Sequence, residues 1–132
     1  MANTPHLRGE SALSELESRY VVVDDLPWKP TPTPGIDMKI LLEDKASGLL
    51  TALFRWQPGT ALDLHEHVEI EQTYVLSGSI VDDEGEVTAG NYVWRPKGHR
   101  HVARSPRGAL VISFFLKPNR FLTGQLAGQE LK

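Results

Sequence analysis

His65 and His67 lie two residues apart in a stretch that reads as extended chain. Successive side chains of a strand point to opposite faces, so these two imidazoles project from the same face and form a two-jawed grip for a metal ion. Glu71 opens the next apolar run, which includes Tyr74, Val75 and Leu76 and ends at Gly78; this run can return a carboxylate to the same place. A third imidazole, His101, follows the turn Pro96-Lys97-Gly98 some thirty residues downstream. The chain has no cysteine, so a metal here rests on nitrogen and oxygen. Neutral imidazoles beside a carboxylate suit one divalent ion per chain, Fe2+, Mn2+, Ni2+ or Zn2+.

The elements that must position these groups are short. Isoleucine, methionine and leucine alternate from Ile36 to Leu42 as in a half-buried strand, and Leu49 to Trp56 is apolar on both faces, as in a strand covered on each side. Tyr20 to Val23 reads as a first strand, Tyr92 to Arg95 as a short one, and Ala109 to Leu116 as a long buried one. The acidic Asp82 to Glu86 cluster around one glycine suits a hairpin tip. Four prolines between Pro27 and Pro34 make a rigid surface connection anchored by Trp28. Strands punctuated by Gly and Pro turns, with little helical periodicity, predict an all-β, closed or double-sheet architecture.

The spacings resemble the paired motifs of the cupin superfamily, the RmlC-like proteins. G-x5-H-x-H-x3-E-x6-G is met at Gly59, His65, His67, Glu71 and Gly78, and G-x5-P-x-G-x2-H at Gly90, Pro96, Gly98 and His101; the asparagine that closes the second motif is Ser105 here. More narrowly, Trp28 to Phe115 is similar to the ChrR-like cupin group and to small dioxygenases that cleave acetylacetone or 2,4'-dihydroxyacetophenone. The resemblance implies a single-domain double-stranded β-helix, or jelly-roll barrel, with His65, His67, Glu71 and His101 as metal ligands and no catalytic residue beyond them. It also implies a homodimer and a small diketone-like or hydroxyketone-like substrate. Relatives of this kind that rely on three histidines lack the carboxylate that Glu71 supplies. The other class it implies is a metal-dependent module that binds or senses a small ligand without turnover. The cysteine-bearing anti-sigma half of ChrR proteins has no counterpart here.

Around that set, Glu69 shares strand parity but misses the motif spacing, His99 falls outside the motif and either stands behind the ligands or faces solvent, Glu66 points to the other face, and His6 lies in a tail. Thr73, Val75 and Ser77 are expected to line the barrel, while Leu62 and Leu64 face away from the metal. Arg55, Trp56, Tyr92, Trp94 and Phe114 could wall the cavity or simply pack the sheet. The expected divisions are an N-terminal tail over 1–19, with a short helix from Ser11 to Ser18, a barrel over 20–118 and a C-terminal tail over 119–132.

At 132 residues the chain is one domain's length. Seventeen acidic against fourteen basic residues, with no dense basic cluster, argue against a nucleic-acid partner. No apolar run approaches the ~20 residues that span a bilayer, and no secretion signal is visible, so no membrane partner and a cytoplasmic location are the expectation.

Overall fold

The computed structural model describes residues 2–3, 17–122 and 128. Eleven strands run in chain order: β1 (Ala2–Asn3), β2 (Lys29–Pro30), β3 (Ile36–Asp44), β4 (Leu49–Trp56), β5 (Thr60–Glu66), β6 (Glu71–Asp82), β7 (Gly85–Thr88), β8 (Tyr92–Arg95), β9 (Arg100–Ser105), β10 (Ala109–Phe115) and β11 (Arg120–Phe121). All pairings are antiparallel. One sheet carries β3, β4, β10, the first half of β6 and β8; the other carries β7, the second half of β6, β9, β5 and β11. β6 thus passes from one sheet into the other, which curls the pair into the jelly-roll barrel expected from the sequence. Among the described residues no helix is long and apolar enough to cross a membrane.

The bend in β6 falls at Gly78, with φ +72°. A Cβ there would run into the carbonyl oxygen of Gly108, so both the left-handed backbone and the close approach call for glycine. Next to it the register against β10 shifts between Leu110 and Val111. A bulge of this kind leaves Ser77 exposed and brings Ser79 inside, so Ser77 does not line the barrel as simple alternation predicts.

The core joins both sheets through Met38, Phe54, Trp56, Val75, Val111, Phe115 and Phe121, among others. β4 alternates cleanly, with Leu50, Ala52, Phe54 and Trp56 buried; Thr51, Leu53 and Arg55 are only half-buried, so the strand is covered fully on one side rather than two. Tyr20 to Val23 forms no strand: Tyr20 is exposed and Val23–Asp25 makes a 3-10 turn. Among the described residues the valine run pairs with no strand, whereas Lys29–Pro30 pairs with β3. Trp28 is the anchor expected of the proline-rich connection, stacked 4.2 Å from the Arg55 guanidinium carbon, with Lys39 Nζ 5.0 Å from its ring centre. The expected Ser11 to Ser18 helix falls mainly outside the described residues, and residues 17 and 18 are not helical.

Candidate metal centre

β5 and β9 pair with His65 directly opposite His101. Between Leu62 and His65 the register slips, so Leu62 faces Ala103 while His65 faces His101. The extra residue resets the alternation, and Leu62, expected to face away from the metal, is buried in the core on the same side as His65. His67 lies one residue beyond β5 but keeps its register: its N–H donates to the His99 carbonyl at 2.8 Å and its carbonyl accepts from Gly98 at 2.7 Å. The Pro96-x-Gly98 turn thereby clamps the end of β5 against the start of β9.

One ring nitrogen from each of His65, His67 and His101 lies within 4.8 Å of the others. His65 and His67 are each 1% exposed, so this is an interior cluster. Two of the three outer nitrogens are hydrogen-bonded, and the third, His67 Nδ1, is buried beside a carboxylate without a hydrogen bond. His65 Nδ1 is 2.8 Å from the Asp63 carbonyl oxygen, which can only accept, so His65 carries its proton on Nδ1. His101 Nδ1 is 2.7 Å from Asp82 Oδ2, and His67 Nδ1 is 3.1 Å from Glu71 Oε2.

The two inner nitrogens, Nε2 of His67 and Nε2 of His101, stand 3.0 Å apart. His101 turns Nδ1 to the Asp82 carboxylate and Nε2 to His67. His67 Nδ1 lies beside the Glu71 carboxylate without a hydrogen bond. A cation among the Nε2 atoms takes over the contact between them and leaves Nδ1 of His67 to carry its proton toward Glu71. Nitrogens at this separation are close enough for one ion to reach both at the roughly 2.0–2.1 Å of an imidazole–metal bond. The residues present therefore fit a divalent metal in both chemistry and spacing.

Glu71 is not grouped with the three ring nitrogens. Its Oε1 accepts from Thr73 Oγ1 at 2.9 Å, its Oε2 accepts from Asn119 Nδ2 at 3.3 Å, and the same Oε2 faces His67. Thr73 also shares a 2.8 Å hydrogen bond with Ser113 across β6 and β10. Burial opposes ionisation of Glu71, but the facing imidazoles of His67 and His65, with Thr73, outweigh it and hold the carboxyl down at about 2. Burial pushes His65 down to about 4, helped by its two imidazole neighbours. Burial also lowers His101, against the pull of Asp82.

Beside the imidazoles is a cavity of about 70 Å³, walled mainly by Ile36, Phe54, Trp56, Leu62, Val93, Val111 and Phe115, with His65, Glu71, Thr73, Arg95, His101, Ser113 and Asn119 as its polar members. Of the proposed aromatic walls only Trp56 reaches it. Tyr92, Trp94 and Phe114 are exposed on the outer face of the sheet, and Arg55 lies outside on Asp37 and Trp28. Glu69 lies 3.5 Å from Lys97, and Glu66 holds Arg120 and Arg100, so both are engaged at the surface. His99 stands beside His101 at 4.9 Å between ring centres, with Nε2 3.4 Å from Glu84. His6 lies outside the described residues.

The residue that reading the strands did not single out is Asp82. Its last-strand position before Asp83-Glu84-Gly85 marked it as turn chemistry, yet its side chain is buried between His101 and Arg95.

The sequence profile of the ChrR cupin-like domain family matches residues 16–119. The chain belongs to this family. No curated protein matches the chain. Among solved structures, this ChrR-like cupin resembles a candidate acetylacetone dioxygenase from Methylibium petroleiphilum at 25% identity and TM-score 0.78, over 90% of each chain. An acetylacetone dioxygenase from Acinetobacter johnsonii is similar at 19% identity and TM-score 0.77, over 91% of this chain and 88% of that one. The anti-sigma factor ChrR of Rhodobacter sphaeroides, in complex with SigE, is similar at 22% identity and TM-score 0.60, over 70% of this chain and 51% of that chain. The last two likenesses speak to the fold.

Proposed function

We propose that the protein is a mononuclear metal-dependent cupin that acts as a dioxygenase on a small diketone or hydroxyketone. The observation that carries this reading is the convergence of three imidazole nitrogens, two of them from fully buried rings, within 4.8 Å at the edge of an apolar cavity. The proposed ligands are His65, His67 and His101, with Glu71 as the carboxylate of the centre, turned here toward His67 Nδ1. Fe2+ is the proposed ion. When bound, it supplies Lewis acidity toward a chelating substrate and a site for reaction with oxygen.

The chain's own residues do the rest. The Asp63 carbonyl holds the His65 imidazole in the tautomer that presents Nε2. Thr73, Ser113 and Asn119 fix the Glu71 carboxylate. Phe54, Trp56, Leu62 and Phe115 exclude water and limit the substrate to a small molecule. The 25% identity to the Methylibium protein over 90% of both chains supports the substrate class.

A second reading is a binding or sensing module that holds a ligand without turnover; the match to the ChrR cupin-like family favours it. Oxygen-electrode assays of anaerobically Fe2+-loaded protein with a panel of 1,3-diketones and hydroxyacetophenones decide between them. Oxygen consumption that depends on one of these compounds is the expected result. None with any of them, despite full iron loading, overturns the enzyme reading in favour of the binding one. A homodimer is also proposed, with the exposed Tyr74, Tyr92, Trp94 and Phe114 face covered by the second copy.

A further inference from the structure

We infer that Asp82 is a positioning residue of the metal centre: it fixes His101 as the Nδ1–H tautomer, so that its Nε2 lone pair faces His67 and His65. This rests on the metal reading above. Oδ2 of Asp82 accepts from His101 Nδ1 at 2.7 Å and forms an ion pair with an Arg95 guanidinium nitrogen at 2.6 Å. Oδ1 accepts the backbone N–H groups of Glu84, at 2.9 Å, and Gly85, at 3.2 Å. The carboxylate is 1% exposed, and both of its oxygens are bound. It is therefore a fixed acceptor anchored in the β6–β7 turn, with Arg95 pinning it from β8. Arg95 in turn reaches Glu84 at 3.0 Å, which ties the turn to the strand that leads into Pro96 and Gly98.

Asp82, His99 and His101 also have ligand atoms within 4.8 Å of one another, which raises the possibility of a second metal site. The Arg95 charge on Asp82 argues against a cation there. Orientation of His101 is the role that uses every contact the carboxylate makes. Carboxylates behind ligating imidazoles fix the ring tautomer and increase its basicity, and their loss typically weakens metal binding about 10–100-fold.

Asp82→Asn tests this role through the tautomer it imposes. The amide oxygen can keep the turn bonds to Glu84 and Gly85, while the amide nitrogen replaces Oδ2 as a donor toward His101 and gives up the ion pair with Arg95. Facing a donor, His101 must accept at Nδ1, which moves its proton to Nε2. Two measurements test this. Imidazole 15N NMR of metal-free protein is expected to show His101 protonated on Nδ1 in the wild type and on Nε2 in D82N. Co2+ titration of folded D82N is expected to show affinity about 10–100-fold below wild type. A wild-type His101 protonated on Nε2, or D82N binding Co2+ within about twofold of wild type, overturns the inference. The wild-type spectrum decides the tautomer even if the variant does not fold. Failure of the metal reading itself looks different: wild-type protein then takes up no Co2+ at all.

Discussion

His65 and His101 face each other as directly opposed residues of β5 and β9, with ring centres 4.5 Å apart. His67 joins them through the Gly98 turn, with ring centres 5.1 Å from His65 and 5.0 Å from His101. The centre is thus built into a strand pair and its adjoining turn, so its geometry is as rigid as the sheet.

Substitution of the ring nitrogens is the simplest test of that geometry. His67→Ala and His101→Ala are each expected to lower metal content after Fe2+ loading to a small fraction of wild type. Glu66→Ala, at a residue that holds Arg100 and Arg120 on the outer face, should leave it unchanged. Metal analysis of dialysed protein reads the difference.

Acid should destabilise the metal-free protein in a defined window. In the unfolded chain His65 takes up its proton near 6.5, whereas burial holds it neutral in the fold down to about 4. Below pH 6.5 the unfolded state binds the extra proton, so stability falls as pH falls, and His65's contribution is lost fully only below about 4. A shift of this size corresponds to about 3 kcal/mol. Urea midpoints measured from pH 8 to pH 4 check it, and metal loading is expected to delay the loss because the ion competes with the proton.

Two glycines separate backbone strain from steric contact. Gly78→Ala combines a φ of +72° with a collision against the Gly108 carbonyl, and a cost above about 2 kcal/mol is expected. Gly98→Ala has φ +85° but open space around the new Cβ, and about 1 kcal/mol is expected. Chemical denaturation of both variants gives the comparison.

The pairing of β11 with β5 packs Phe121, 1% exposed, with its ring centre 6.1 Å from that of His65. Phe121→Ala is expected to cost about 3–5 kcal/mol and to weaken metal binding by loosening the ring behind the ligand. Thermal unfolding with and without Co2+ measures both effects.

Much of this was legible in the residues. Strand periodicity and Gly/Pro punctuation pointed to the β architecture, and the histidine spacing pointed to the imidazoles that the fold brings together. What alternation could not reveal were the bulges. An extra residue between Leu62 and His65 reverses which side Leu62 faces, and another irregularity beside Gly78 turns Ser77 outward. Nothing in side-chain type announces a bulge, because it is set by the partner strand. Asp82 was hidden for a related reason: an aspartate before a tight turn satisfies the turn on its own, and only the packing of β8 and β9 reveals its second oxygen on His101. Tyr20 to Val23 has strand composition, but in the fold it makes no strand.

The most direct test of the centre is X-ray absorption spectroscopy of wild-type protein loaded anaerobically with one equivalent of Fe2+. The account predicts tightly bound iron with scattering from three imidazole rings, and loss of that bound iron in His101→Ala. Iron that washes out of the wild type, or a spectrum unchanged by His101→Ala, would contradict it.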